Sequence, residues 1–195
     1  MRVTQCEVPV LWLESGLHNV PKKLNDAIQS HLDTLQGYDT VLLAMSFCGN
    51  SVIGLNTRDF QLVLPRTDDC ISLLLDGQAR PFATLFMTEG WLKGGRHLGQ
   101  EYEECLAKYG EKRGKRIFNA MLKNYRHIAM LDTGCYDTVA AEPQIKAIGE
   151  KLGLEYTTAP GSPSWLEELL LGNWSEDRFL ILPPNSTLKG DRHGT

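Results

Sequence analysis

"TVLLAMSFCGN", Thr40 to Asn50, is the stretch whose reading decides the fold. From Val41 to Phe47 it is apolar almost throughout. An antiparallel strand with one wet face would alternate. A nearly unbroken apolar run predicts a strand over 40–47 covered on both faces, as in a parallel sheet. The run stops at Cys48, and Gly49 and Asn50 follow at once, so the chain is expected to turn sharply there.

Working outward, the same pattern recurs. Downstream, "FQLVLP" (Phe60–Pro65) predicts a strand, and "DDCISLLLDG" a helix with acids at its positive end and Gly77 after it. "FATLFMTEG" predicts a fourth strand. A polar stretch over 98–125 reads as two helices meeting near Gly110–Gly114. "RHIAMLDTG" predicts a fifth strand and "AEPQIKAIGEKLG" a helix ended by Gly153. "LEYTTA" predicts a strand, "SPSWLEELLLG" a helix with Ser162 as N-cap and Pro163 at its first position, and "RFLILPP" a last strand. Upstream, "VPVLWLE" (Val8–Glu14) predicts a first strand. A helix follows Asn19 and Pro21, with Leu24, Ile28, Leu32 and Leu35 at helical spacing and Gly37 at its end. Strands and helices alternate, so the fold class is α/β: a mainly parallel, Rossmann-like sheet with helices on both faces. One domain is expected over residues 1–185, with 186–195 a flexible tail.

The 195 residues allow a proper core without covalent staples. A net charge of -4 argues against a broad nucleic-acid surface, and "KYGEKRGKR" is the one local basic run. "MRVTQCEVPVLWL" does not resemble a signal peptide, and no apolar run approaches the roughly 20 residues of a membrane span. Five cysteines are an odd number and too few for a disulfide scaffold. A cytoplasmic protein with reduced thiols is expected, with neither nucleic acid nor membrane as partner.

Three of those cysteines stand beyond strands: Cys48 after "VLLAMSF", Cys70 after "LVLPRTDD", and Cys135 after "IAMLDTG". In an open parallel sheet, ligands sit beyond the carboxyl ends of the strands. Each thiol also lies near an expected helix start, which favours thiolate. No C-x-x-C is present, so zinc ribbons and fingers are excluded. Three thiols from three loops suit an iron–sulfur cluster with one open iron, or zinc with an open fourth position. The competing reading packs each cysteine as a small hydrophobe. Cys105, on a helix, reads as packing, and Cys6 has no assigned place. Arg66, Asp68, Asp69, Asn50, Glu89, Trp91, Asp132 and Asp137 are expected to line the same edge. For Asp68, Asp69 and Asp137, helix capping explains the position equally well. Of the scattered histidines, His18 and His97 are the ones worth following. The chain has no G-x-S-x-G, phosphate loop or G-x-G-x-x-G, which weighs against serine hydrolases, NTPases and the usual dinucleotide enzymes.

At "SFCGNSVIGL", "LVLPRTDDCISLLL", "FMTEGWL" and "LDTGCYDT" the chain resembles the uncharacterised family catalogued as domain of unknown function 1638. The resemblance runs from "WLESGLHNVPKKL" to "RFLILPP". It makes Cys48, Cys70 and Cys135 the family's shared cysteines, with Arg66, Asp69, Gly49 and Trp91 also matching. The chain departs from the family pattern in two ways. The resemblance implies a strand and helix before "WL…GLH" that are not read here, and the chain carries "TDD" where many members have a histidine. Genes of the family often lie beside corrinoid-dependent methyltransferases acting on methylamines and betaines. The resemblance therefore implies a supporting role in one-carbon metabolism, with a corrinoid as partner cofactor. The leading expectation is a protein holding a metal ion or iron–sulfur cluster on the three cysteines. Two alternatives stand beside it: a metal-free enzyme with Cys48 or Cys135 as nucleophile, and a module that binds a corrinoid or another small ligand.

Overall fold

The computed structural model describes residues 8–94 and 97–190. In chain order its elements are α1 (Pro21–Thr34), β1 (Thr40–Leu42), β2 (Gln61–Pro65), α2 (Cys70–Leu75), β3 (Thr84–Met87), α3 (Glu89–Lys93) and α4 (Leu98–Tyr109). They continue with α5 (Glu111–Met121), β4 (His127–Asp132), α6 (Thr138–Leu152), β5 (Glu155–Pro160), α7 (Ser164–Leu171) and β6 (Phe179–Leu182). The α/β class holds. The strands form two three-stranded sheets, in orders β1-β2-β6 and β3-β4-β5, where one sheet was expected. The chain divides into two compact units accordingly. A middle unit spans Ala79–Ser162, and a flanking unit combines the chain up to Gln78 with the chain from Pro163 onward.

In the flanking unit β1 runs parallel to β2, and β6 runs antiparallel to it. β2 is the central strand, and its alternation explains why it is apolar at every position after Gln61. Leu62 and Leu64 belong to a core with Leu24, Ile28 and Leu32 of α1. Val63 belongs to a second core with Leu73, Trp165, Leu169 and Phe179. Helical residues therefore cover both faces of this sheet, as a doubly apolar strand requires.

The middle unit is all parallel. β4 is its central strand, with β3 and β5 on either side. Parallel neighbours need crossovers, supplied by α3–α5 between β3 and β4 and by α6 between β4 and β5. α6 sits close to β4: a β-carbon on Gly149 would lie 2.7 Å from Ile128 Cγ2.

Several expectations need correction. Among the described residues, 8–14 pair with no strand; they run into a 3₁₀ turn at Ser15–Asn19. Val10, Leu11 and Trp12 are exposed, so no second face rewards pairing. Val20, not Asn19, is the N-cap of α1, and Pro163, not Ser162, is that of α7. β1, expected over 40–47, ends at Leu42, five residues early. Residues 186–190, expected in a flexible tail, are instead held. Leu188 is buried, its amide donates to Leu55 O at 2.8 Å, and its carbonyl accepts from Gly54 N–H at 2.8 Å. Cys6, His193 and the tail beyond 190 lie outside the described residues.

Candidate functional site

The turn at Cys48 is built by backbone. Beyond β1 the chain continues beside the extension of β2: Phe47 N–H donates to Thr67 O at 3.0 Å and Cys48 N–H to Asp68 O at 2.9 Å. Ser46 and Thr67 hydroxyls meet at 2.6 Å across the same seam. Three successive residues then take left-handed backbone, with φ of 41° at Cys48, 69° at Gly49 and 68° at Asn50. Glycine and asparagine suit that region, whereas cysteine does not. Asn25 of α1 fastens the turn by donating to Ser51 O at 2.7 Å and Ile53 O at 3.0 Å. The strained residue is thus over-determined by its surroundings, the condition under which strain persists at functional sites.

This geometry brings two of the three cysteines together. The backbone N–H of Cys70 points at the Cys48 sulfur, as does that of Ser46. Burial pushes the Cys48 thiol above its usual pKa. The two backbone N–H groups pull it down, and the neighbouring Asp69 carboxylate pushes it up. Cys48 is half-buried, whereas Cys70, the first residue of α2, is exposed.

Cys135 belongs to the middle unit, where it is exposed and its thiol lies 3.5 Å from Thr133 O. The strands before Cys48 and Cys135 therefore belong to different sheets and are not neighbours, as convergence on a single edge required. Among the described residues no group of three or more His, Cys, Asp or Glu side chains is placed to hold a metal. Within the flanking unit the residues fit a thiophilic group only in part, with two soft donors. Cys105 is half-buried on α4, its sulfur 3.9 Å from Gly114 O, in keeping with packing.

The remaining site residues sort by role. Asp69 caps α2 by accepting from Ser72 N–H at 2.8 Å and Ser72 Oγ at 3.0 Å. Asp137 caps α6 by accepting from Ala140 N–H at 3.1 Å. The capping reading therefore accounts for both. Arg66 is half-buried, with its Nε donating to Phe179 O of β6 at 3.0 Å. Asp68 and Asn50 are exposed beside the thiol pair. His18 falls in the 3₁₀ turn before α1 and His97 at the N-cap of α4.

Glu89, Trp91 and Asp132 gather at the carboxyl edge of the middle sheet, around a residue that spacing alone missed. Tyr136 donates its hydroxyl to Leu131 O at 2.5 Å. Burial raises its pKa to about 12, helped by the charges of Asp132 and Glu89 and by Tyr156. Trp91, Tyr136 and Tyr156 pack on one apolar cluster with Met87 and Met130. Asp132 accepts from Gly134 N–H at 2.9 Å, and Glu89 pairs with Lys93 at 2.8 Å. The only sequence signal for Tyr136 was its place beside Cys135 in "GCYD".

The class these features define is a two-sheet α/β protein with a thiol pair beyond one parallel strand pair and a carboxylate–tyrosine cluster beyond the other. Residues 12–170 match the family described as "Protein of unknown function (DUF1638)", and the chain belongs to that family. No curated protein and no solved structure matches the chain. Among the described residues, no helix is long and apolar enough to cross a membrane.

Proposed function

We propose that the protein holds a thiophilic metal ion, zinc or an iron–sulfur cluster, through its strand-end cysteines, and that it serves corrinoid-linked methyl transfer in one-carbon metabolism. The observation that carries this reading is the Cys70 N–H directed at the Cys48 sulfur, which joins two soft donors at neighbouring strand ends. Hydrogen bonds to sulfur are among the contacts that tune thiolate-bound metals. Cys135, on the middle unit, is a further soft donor whose part in the proposal is tested apart from this pair. The Rossmann-like description goes with it, since such folds bind ligands beyond the carboxyl ends of parallel strands. The methyl-transfer setting rests on the family's gene neighbourhood rather than on geometry. A cytoplasmic setting and a corrinoid protein or small molecule as partner, with neither nucleic acid nor membrane, complete the proposal.

When bound, the group would supply Lewis-acid or one-electron chemistry. The chain's own residues would present the sulfurs, with Asp68 and Asn50 on the solvent side. The test is iron, acid-labile sulfide, zinc and cobalt content after oxygen-free purification. The native chain should carry metal, and Cys48→Ser and Cys70→Ser should each lose it, with Cys105→Ser unaffected; Cys135→Ser tests the third sulfur. A metal-free native chain, or full metal in all three variants, overturns the proposal.

A second reading makes Cys135 a metal-free nucleophile, favoured by its exposure. Cys48 suits that role less well, because burial and Asp69 favour its protonated form. One thiol alkylated far faster than the rest, at Cys135, would support this reading; uniform rates would remove it. A corrinoid or small-ligand binding module, with cysteines merely packed, is what remains if both tests fail.

A further inference from the structure

We propose that Cys48 and Cys70 form a reversible intrachain disulfide, which makes the strand-end turn of the flanking unit a two-electron thiol switch. The proposal shares its two sulfurs with the metal reading but does not depend on any metal being bound.

Reach is set by backbone. Residues 47 and 48 are hydrogen-bonded to 67 and 68 at 3.0 and 2.9 Å, and Cys70 lies two residues further on. Its N–H reaches the Cys48 sulfur. A hydrogen bond to sulfur and one N–Cα bond together place the Cys70 Cα within about 5 Å of that sulfur. The Cα–Cα separation exceeds that distance by at most the length of the Cys48 side chain, a range that includes the roughly 4.4–6.8 Å a disulfide needs. Both loops are fixed from outside the pair. Asn25 holds the first, and the Asp69 cap holds the second. The backbone of Cys70 is therefore held beside the Cys48 sulfur rather than meeting it by chance.

The unequal exposure of the two thiols sets the order of events. Exposed Cys70 is the sulfur an external oxidant meets, and half-buried Cys48 is the one that resolves. With a low-molecular-weight disulfide as oxidant, the Cys70 thiolate attacks one of its sulfurs. That S–S bond breaks and a small thiolate leaves with the electron pair. The Cys48 sulfur then attacks the Cys70 sulfur and gives up its proton to solvent. The mixed S–S bond breaks, and the second small thiolate leaves. Two electrons and two protons pass from the protein dithiol to the small disulfide, which is reduced to two thiols.

The experiment uses the full chain in a Cys135→Ser background, which removes the other exposed thiol described. The protein is stripped of metal under nitrogen and treated with glutathione disulfide. Intact mass and non-reduced peptide mapping are the readouts. The expected product has lost two hydrogen atoms, contains a peptide joining Cys48 to Cys70, and returns to its starting mass with dithiothreitol. Adding Cys48→Ser should trap glutathione on Cys70. Adding Cys70→Ser should slow modification of Cys48 at least about tenfold, as its burial limits attack by an external disulfide. Accumulation of glutathionylated Cys70 in the chain that retains Cys48, or absence of the joined peptide, overturns the proposal. Because metal is absent throughout, neither result depends on the metal content of the native chain.

Discussion

The amide of Cys48 donates to the carbonyl of Asp68 at 2.9 Å, and this bond fixes where the left-handed turn begins. Gly49 then carries φ of 69° with only Pro21 Cγ, at 3.4 Å, near its missing β-carbon. Backbone conformation, not crowding, is the reason for glycine here. Gly49→Ala should lower stability by about 1–2 kcal/mol, the cost of left-handed backbone for an ordinary residue. Gly49→Asn should cost less, since asparagine visits that region readily. Urea unfolding of the three proteins gives the comparison, and equal midpoints for alanine and asparagine would show that the turn relaxes.

Arg178 joins three parts of the flanking unit. Its guanidinium stands 4.1 Å from the centre of the Trp165 ring, and its Nη2 reaches Asp76 at 2.9 Å and Ser164 Oγ at 3.2 Å. Glu168 Oε2 lies 3.0 Å from Nε, close enough for charge attraction though off the N–H direction. The end of α2, the helix α7 and the start of β6 meet at this one cation. Arg178→Met keeps the length and loses the charge and ring contact, leaving two half-buried carboxylates unpaired. A loss of about 2 kcal/mol is expected. A change under about 0.5 kcal/mol in denaturant unfolding would mean that solvent replaces these contacts.

The legible parts of the fold were those in which local chemistry agrees with the tertiary context. The middle of β2 is apolar without alternation because Leu62, Val63 and Leu64 face two different cores, and its sequence says so. α1 was readable from Leu24, Ile28 and Leu32, which all face inward. Strand order was not readable. "IAMLDTG" and "LVLP" look alike as strands, and nothing local assigns them to different sheets. "VPVLWLE" has strand-like residues but no partner among the described residues, because pairing depends on neighbours that a pattern cannot name. At the site, "SFCGN" announced the turn, since Gly and Asn are the residues that left-handed backbone selects. The meeting of Cys48 with Cys70 depended on β1 lying beside β2, and the part played by Tyr136 depended on carboxylates far apart in sequence.

Gly149 sets the distance between α6 and β4. An added β-carbon would lie 2.7 Å from Ile128 Cγ2 and 3.1 Å from Leu154 O. Alanine in a helix interior normally gains close to 1 kcal/mol over glycine. Here overpacking opposes that gain, typically by about 1–3 kcal/mol. Ile128 is fully buried and Leu154 O is backbone, so neither can give way easily. Gly149→Ala should therefore be net destabilising. A rise in thermal midpoint would show that α6 can slide outward at little cost.

Tyr136 gives the fold a pH dependence with a definite sign. Its phenol is held up at about 12 against an ordinary value of 10.0, first by burial, then by Asp132, Tyr156 and Glu89. Below pH 10 the phenol is protonated in both folded and unfolded chains, so its contribution does not vary. Between pH 10 and 12 the unfolded chain has lost the proton and the folded chain has kept it. Stability must fall with rising pH across that window. Other tyrosines and lysines titrate there too, so the native curve alone proves nothing. Tyr136→Phe removes this one phenol while keeping the ring on the Met87–Met130 cluster. The variant should start less stable, having lost the hydrogen bond to Leu131 O, and should then decline less steeply above pH 10. Unfolding curves measured at intervals from pH 8 to 12 would converge if the shift is real. Curves that stay parallel would mean that Tyr136 titrates as an ordinary phenol and that Asp132 and Glu89 do not act on it.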